Sequence, residues 1–219
     1  MSLNQDLADF RGAWRERVPP ELQEKMLRHI QHLRDGDGAP NMLKVGNRAP
    51  AIVLANAKGE IVDVRSLLQS GPVIVTFYRG GWCPFCNLEL KAYQDVLPRI
   101  RAVGASLVAI SPEKPDESLS TAEKNALTFE VLSDVGQTVG RAFGLVYEFT
   151  DELKSVYHAF GLDIPARNGA PDEWALPVSA TYVVGSDGVI VYANVDTDYR
   201  DRADPEDVLG ALAAMTVAA

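Results

Sequence analysis

The 219-residue sequence predicts an α/β fold, a central sheet flanked by helices with a helical extension ahead of it. Three observations predict it. From Val45 onward, β-rich runs alternate with helical patterns, which implies strands covered by helices. Within that region Val73 to Tyr78, VIVTFY, is apolar without alternation, as expected of a strand buried on both faces. Ahead of it Leu3, Leu7, Phe10 and Trp14 fall at helical spacing, and after Pro19-Pro20 so do Leu22, Met26, Ile30 and Leu33. The expected division is residues 1–40 for the helical extension and its linker, and 41–219 for the domain.

The elements follow in order. Asp35-Gly36-Asp37-Gly38-Ala39-Pro40 reads as the linker. Ile52 to Leu54, a turn at Ala57-Lys58-Gly59 and Ile61 to Val64 make a hairpin, with a short helix near Ser66 to Gln69. After the Val73 strand and the loop Arg79-Gly80-Gly81-Trp82, Pro84 suits the first position of a helix, where its missing amide hydrogen would be unpaired anyway. Leu88, Ala92, Tyr93, Val96, Leu97, Ile100 and Val103 continue that helix at the right spacing, with Pro98 as a kink. A second buried strand is expected at Ser106 to Ile110, a helix at Glu117 to Asn125, and a short strand at Val131-Leu132. Another helix opens near Ser133-Asp134 and closes at Gly144. Leu145 to Leu176 reads as an insertion that either lines the site or caps the sheet, with a helix at Asp151 to Phe160 and a loop from Gly161 to Pro177. Ala180 to Val184, a turn at Ser186-Asp187-Gly188 and Val189 to Ala193 form a second hairpin. Asp204 then caps a last helix carrying Val208, Leu209, Leu212 and Met215.

Strand, loop, Cys83-Pro-Phe-Cys86 and helix therefore follow one another, and this order has chemical content. The thiolate is the nucleophilic form of cysteine, and a free thiol near pKa ~8.5 is mostly protonated at neutral pH. At a helix start, the Cys83 sulfur meets unpaired amide hydrogens and the positive end of the dipole, both of which favour its charge. Cys86, one turn on, lies on the same side and is the natural partner for a disulfide. Arg79 adds positive charge if it turns toward the sulfur rather than to solvent, and Trp82 either shapes the approach or packs against the loop. Glu89 reads as a solvated helix residue rather than a proton shuttle for Cys86, and Asp198 to Arg202 as a solvated charged run. Bland alternatives remain for the cysteines: a buried apolar pair, or half of a zinc site completed by His29 and His32, whose spacing is shorter than in zinc fingers. His29, His32 and His158 are expected on the surface or on helix faces.

Composition narrows the function. A net charge of −9 with no basic cluster argues against nucleic acid as a partner, and no stretch is long and apolar enough for a membrane span. The two cysteines do not form a secreted disulfide framework, and the start, MSLNQDLADFRG, is acidic and polar where a secretory signal is basic and then apolar. A cytoplasmic redox protein is the expectation.

The segment Trp82-Cys83-Pro84-Phe85-Cys86 resembles the active-site stretch of the thioredoxin superfamily. Together with FYRGGWCPFCNLELKAYQ, LVAISPEKPDES and FEVLSDVGQTVGRAFGL, the stretch from about Val45 to Asp196 resembles the alkyl hydroperoxide reductase and thiol-specific antioxidant family, the peroxiredoxins. The resemblance implies a thioredoxin-like fold with a central mixed sheet. It also implies a thiol peroxidase acting on hydrogen peroxide or alkyl hydroperoxides. Cys83 would form the sulfenic acid and Cys86 would resolve it, with no bound cofactor. Thioredoxin, glutaredoxin or glutathione would be the external reductant, and a homodimer is expected because the family commonly forms dimers. Three places depart from the family pattern: Thr76 stands for its proline, Gly80 for its threonine or serine, and Ser179 for its late-strand arginine, where thioredoxin-like proteins carry a cis proline. Arg79, Arg200 or Arg202 is the expected substitute clamp. These departures keep two other readings open, a dithiol-disulfide oxidoreductase and a redox sensor without turnover.

Overall fold

The computed structural model of the chain describes residues 2–36 and 41–217, so Asp37 to Pro40 of the expected linker lie outside the described residues. Helix α1 (Leu3–Arg17) opens on Ser2, whose hydroxyl accepts the Gln5 amide hydrogen. Helix α2 (Pro20–Arg34) starts on a proline. Strands β1 (Val53–Asn56) and β2 (Ile61–Asp63) form the expected hairpin. The short helix α3 (Val64–Leu68) begins two residues earlier than expected, because the Asp63 carboxylate caps it through the Arg65 amide at 3.0 Å. Strand β3 (Val73–Phe77) leads into the long helix α4 (Pro84–Ala102), which runs on through Pro98.

Next come β4 (Ser106–Ser111), α5 (Pro115–Lys124), β5 (Glu130–Ser133) and α6 (Thr138–Ala142). Two boundaries differ from expectation here. Helix α5 starts on Pro115 rather than Glu117, a proline again taking the first position. Helix α6 starts at Thr138 rather than Ser133-Asp134, since Ser133 completes β5 and a turn intervenes with Gln137 in the left-handed region. Asp134 still caps the helix, from a distance, accepting the amides of Val139 at 3.1 Å and Gly140 at 2.8 Å.

Strand β6 (Val146–Glu148), helix α7 (Asp151–Ala159), helix α8 (Ile164–Asn168) and strand β7 (Ala175–Pro177) occupy the insertion, so the expected loop from Gly161 holds a helix and a strand. Asp163 caps α8 through the Ala166 amide at 3.1 Å. Strands β8 (Ser179–Val184) and β9 (Ile190–Asp196) form the second hairpin, and α9 (Pro205–Val217) follows Asp204.

Seven strands form one mixed sheet in the order β2-β1-β5-β4-β3-β8-β9, and β6 pairs with β7 in a separate ribbon. Strand β3 is parallel to β4 and antiparallel to β8, which places it inside the sheet. Val73, Val75 and Phe77 point to one face, toward Tyr147, Phe149 and Met26. Ile74 points to the other, where Tyr93, Leu97 and Ile100 of α4 meet Val208 and Leu212 of α9. Both faces being covered, β3 has no polar alternation, and each large apolar side chain buried there contributes roughly 1.5–3 kcal/mol. The N-terminal helices are covered by the same chain: α1 lies on α4, and α2 lies on α7.

Candidate active site

The sheet delivers the cysteines to a tightly held loop. Strand β3 is followed by buried Tyr78 and Arg79, and the Cys83 amide then bonds the Gly80 carbonyl at 3.1 Å. Gly80 has φ +146°, and a Cβ there would fall 2.3 Å from Trp82 Nε1. The Gly81 amide donates to Glu113 Oε2 at 2.7 Å, and Glu113 is held by Arg167 at 3.0 Å. The Asn87 side chain closes the loop from within α4, donating to the carbonyls of Gly81 at 2.8 Å and Cys83 at 3.0 Å. Cys83 caps α4, its carbonyl accepting the Asn87 amide at 3.1 Å.

Both sulfurs are buried and unbridged. Burial works against a Cys83 thiolate, yet the hydrogen bond from Cys86 and the charges of Arg79 and Arg202 outweigh it and hold this thiol well below its usual range. Cys86 moves the other way: burial, then its hydrogen bond to Cys83 and the charge of that sulfur, push it well above. The two thiols are thus driven apart, Cys83 toward its thiolate and Cys86 toward its protonated form.

Arg79 is 2% exposed rather than solvated. Its guanidinium lies 4.0 Å from the centre of the Tyr199 ring, 5.0 Å from Trp82 and 5.9 Å from Tyr157, and Nη2 donates to the Tyr157 hydroxyl. Arg79 Nε and Nη1 are buried with no hydrogen-bond partner among the described residues. These groups border a cavity of about 300 Å³ that reaches Cys83, with Trp14 of α1, Met26 of α2 and Leu162 after α7 among its walls. The insertion therefore lines the site.

Glu89 and the Asp198 to Arg202 run are placed otherwise than the sequence suggests, and His29, Ser179 and Thr76 are buried. Glu89, expected in solvent, is 1% exposed, because Arg202 sits 3.1 Å from its carboxylate and Thr181 donates to it at 3.4 Å. The Asp198 to Arg202 run is largely buried: Arg200 pairs with Asp198 at 2.6 Å and so does not reach the cysteines, while Arg202 Nη2 donates to Cys86 Sγ at 3.3 Å. His29 is buried against Tyr147, and burial, with the charge of Arg79, pulls it down to about 4. Ser179 is buried at the start of β8 with its hydroxyl unpartnered among the described residues, and the Thr76 hydroxyl lies 3.0 Å from that of Thr181.

Arg79, Trp82, Cys83 and Cys86, all expected at the site, lie together there. Sequence reasoning missed Tyr157, Tyr199, Trp14 and Met26, whose helical or loop positions look like ordinary packing. Only the return of distant segments to the cysteines marks them.

The sequence matches the profile of the AhpC/TSA family over residues 45–193. It is 30% identical over 151 residues to a putative peroxiredoxin of Mycobacterium tuberculosis, covering 69% of this chain and 84% of the relative. It is 32% identical over 105 residues to peroxiredoxin Bcp of Escherichia coli K12, covering 48% of this chain and 67% of that one. Among solved structures, peroxidoxin BcpB of Mycobacterium tuberculosis superposes with a TM-score of 0.62 at 21% identity, covering 79% of this chain and 98% of that one. A peroxiredoxin-like protein from Aquifex aeolicus gives 0.62 at 15%, covering 80% and 88%. The fold is thioredoxin-like, as the resemblance implied.

Proposed function

Because the chain belongs to the AhpC/TSA family of peroxiredoxins, which are thiol peroxidases, we propose that Cys83 is its peroxide-reacting thiolate and Cys86 the thiol that resolves it. The thiolate attacks a hydroperoxide: the S–O bond forms as the O–O bond breaks, and the departing oxygen takes a proton and leaves as water or an alcohol. Cys86 then attacks the sulfenic sulfur, the S–S bond forms, the S–O bond breaks, and the thiol proton leaves with the hydroxide as water. An external thiol such as thioredoxin, glutaredoxin or glutathione restores the pair by exchange, and the cycle needs no bound cofactor. A cytoplasmic setting and a homodimer complete the reading; sedimentation as a monomer at micromolar concentration would remove the dimer.

The observation that carries this reading is the buried pair of thiols at the start of α4 with Arg202 on Cys86, an arrangement that drives Cys83 low and Cys86 high. With Gly80 and Ser179 standing where the family has a hydroxyl and an arginine, Arg79 is the electrostatic clamp of the proposal. Its two unpartnered nitrogens are donors for the oxygen on which charge develops.

Stopped-flow tryptophan fluorescence tests the roles by mixing reduced protein with stoichiometric hydrogen peroxide. Wild type is expected to react at least on the order of 10²-fold faster than free cysteine. Cys83→Ser is expected to be silent, and Cys86→Ser to stop at a sulfenic acid trapped by dimedone. If all three react no faster than free cysteine while wild type exchanges readily with oxidised glutathione, the chain is a disulfide oxidoreductase and the peroxidase roles fail.

A further inference from the structure

Arg202 adds to the field on Cys83, but its direct contact is with the inner cysteine, Cys86. It comes from the segment after β9, beyond the family-matched residues 45–193, and reaches under α4 to the inner cysteine. Its side chain is 1% exposed, with Nη2 3.3 Å from Cys86 Sγ and Nε 3.1 Å from Glu89 Oε2, and Nη1 is unpartnered among the described residues. A buried cation thus bridges two groups that can each carry a negative charge.

We propose that Arg202 and Glu89 govern the reductive half of the cycle: Arg202 holds the Cys86 sulfur as the leaving thiolate, and Glu89 is the counter-ion that gives way to it. This rests on the reading of Cys83 and Cys86 as a redox pair. When a thiolate of the reductant attacks Cys83 Sγ, the new S–S bond forms there, the Cys83–Cys86 bond breaks, and its electron pair goes to Cys86 Sγ. A second thiol then attacks the reductant's sulfur in the mixed disulfide, releasing the oxidised reductant and the Cys83 thiolate. A lower-energy leaving thiolate speeds the first step and favours the reduced form.

In direct contact, Cys86 and Glu89 share one cation, Arg202, while Arg79 acts on Cys86 from further off. While the disulfide stands, Cys86 is uncharged and Glu89 is the partner of Arg202. Once charge arrives on Cys86, two anions share one guanidinium in a water-poor space, which is costly unless one of them is neutralised. Glu89 is suited to this: burial pushes its carboxyl up to about 7, against Arg202 and the Thr181 hydroxyl. The groups facing it are Arg202 from the loop, Cys83, Cys86 and Tyr93 from α4, Thr76 from β3 and Thr181 from β8, with Arg79 beyond them. Tyr93 stays protonated, its hydroxyl driven well above its usual range by burial and by the charge of Glu89. Glu89 is therefore the acid that titrates with the leaving group.

The test equilibrates the full chain with reduced and oxidised glutathione, follows the tryptophan signal, and times reduction of the isolated disulfide by dithiothreitol. Oxidised glutathione rather than peroxide makes the disulfide, so failure of the peroxidase reading would not be mistaken for failure of this one. Arg202→Met is expected to make the disulfide harder to reduce, by on the order of tenfold in both equilibrium constant and rate, with Arg202→Lys in between. Glu89→Gln is expected to move both quantities the opposite way, by a similar factor, and to flatten their dependence on pH around 7. The wild-type rate constant, expressed per reductant thiolate so that the reductant's own ionisation is removed, should by contrast fall as pH rises through that range. A purely structural part would give losses of one sign in both variants. Constants within twofold of wild type in folded variants, or shifts of the same sign, overturn the proposal; if Arg202→Met does not fold, the sign and pH slope of Glu89→Gln decide it alone.

Discussion

Arg79 shows how one residue changes meaning when its surroundings close over it. A buried guanidinium is tolerated here because three aromatic rings and the Tyr157 hydroxyl receive it, and its charge is among those that hold Cys83 as a thiolate. Arg79→Met keeps the apolar bulk and removes the charge. Its rate with hydrogen peroxide at neutral pH is expected to fall by on the order of 10²-fold, with the ultraviolet absorbance of the thiolate titrating at higher pH than in wild type. His29 gives a second residue-level expectation, for stability. Its folded value of about 4 lies below the unfolded value of 6.5, so the unfolded chain binds the extra proton first as pH falls. Nothing is lost above 6.5; between 6.5 and about 4 the fold loses stability, up to about 3 kcal/mol. Urea unfolding at pH 7 and pH 5 should show this loss, and His29→Phe should remove most of it.

At the scale of elements, the loop between β3 and α4 matters more than either end of it. Gly80 and Gly81 let the backbone pass close to Trp82 and to Thr121, and Glu113 and Asn87 hold it from β4's end and from α4. Restoring the family's hydroxyl by Gly80→Thr is therefore expected to harm the site. A Cβ 2.3 Å from Trp82 Nε1 and 2.9 Å from Glu113 Cδ forces the loop apart, at a stability cost on the order of 2 kcal/mol. Denaturant unfolding and the peroxide rate should fall together, and a faster or unchanged peroxide rate in Gly80→Thr would show that the loop has room the geometry denies it.

The whole molecule closes the site with segments from both ends of the chain. Trp14 and Met26, from helices preceding the family-matched residues, wall the cavity over Cys83, and Tyr199 follows those residues. A wall of this kind acts on the organic part of a hydroperoxide and hardly touches hydrogen peroxide. Trp14→Ala is expected to lower kcat/KM for cumene hydroperoxide by on the order of tenfold and leave the hydrogen peroxide rate within twofold. Equal losses for both substrates would instead mark the tryptophan as a support for α1.

Features that depend on near neighbours are legible along the chain. Val73 to Phe77 as a covered strand, Pro84 as a helix start and Cys83 with Cys86 one turn apart are all fixed within a few residues by periodicity, proline chemistry and helix geometry. Element boundaries moved with the caps and prolines that start helices, Asp63 for α3, Pro115 for α5 and, acting across a turn, Asp134 for α6. Tertiary structure alone decided the electrostatics. Glu89 looked solvated because an isolated carboxylate is costly to bury, and the arginine that makes its burial tolerable also reaches Cys86 across 116 positions of sequence. Tyr157 finds Arg79 across 78. Local patterns carry the shape of the backbone, whereas the charge balance around a buried thiol is set by whichever segments the fold returns to it.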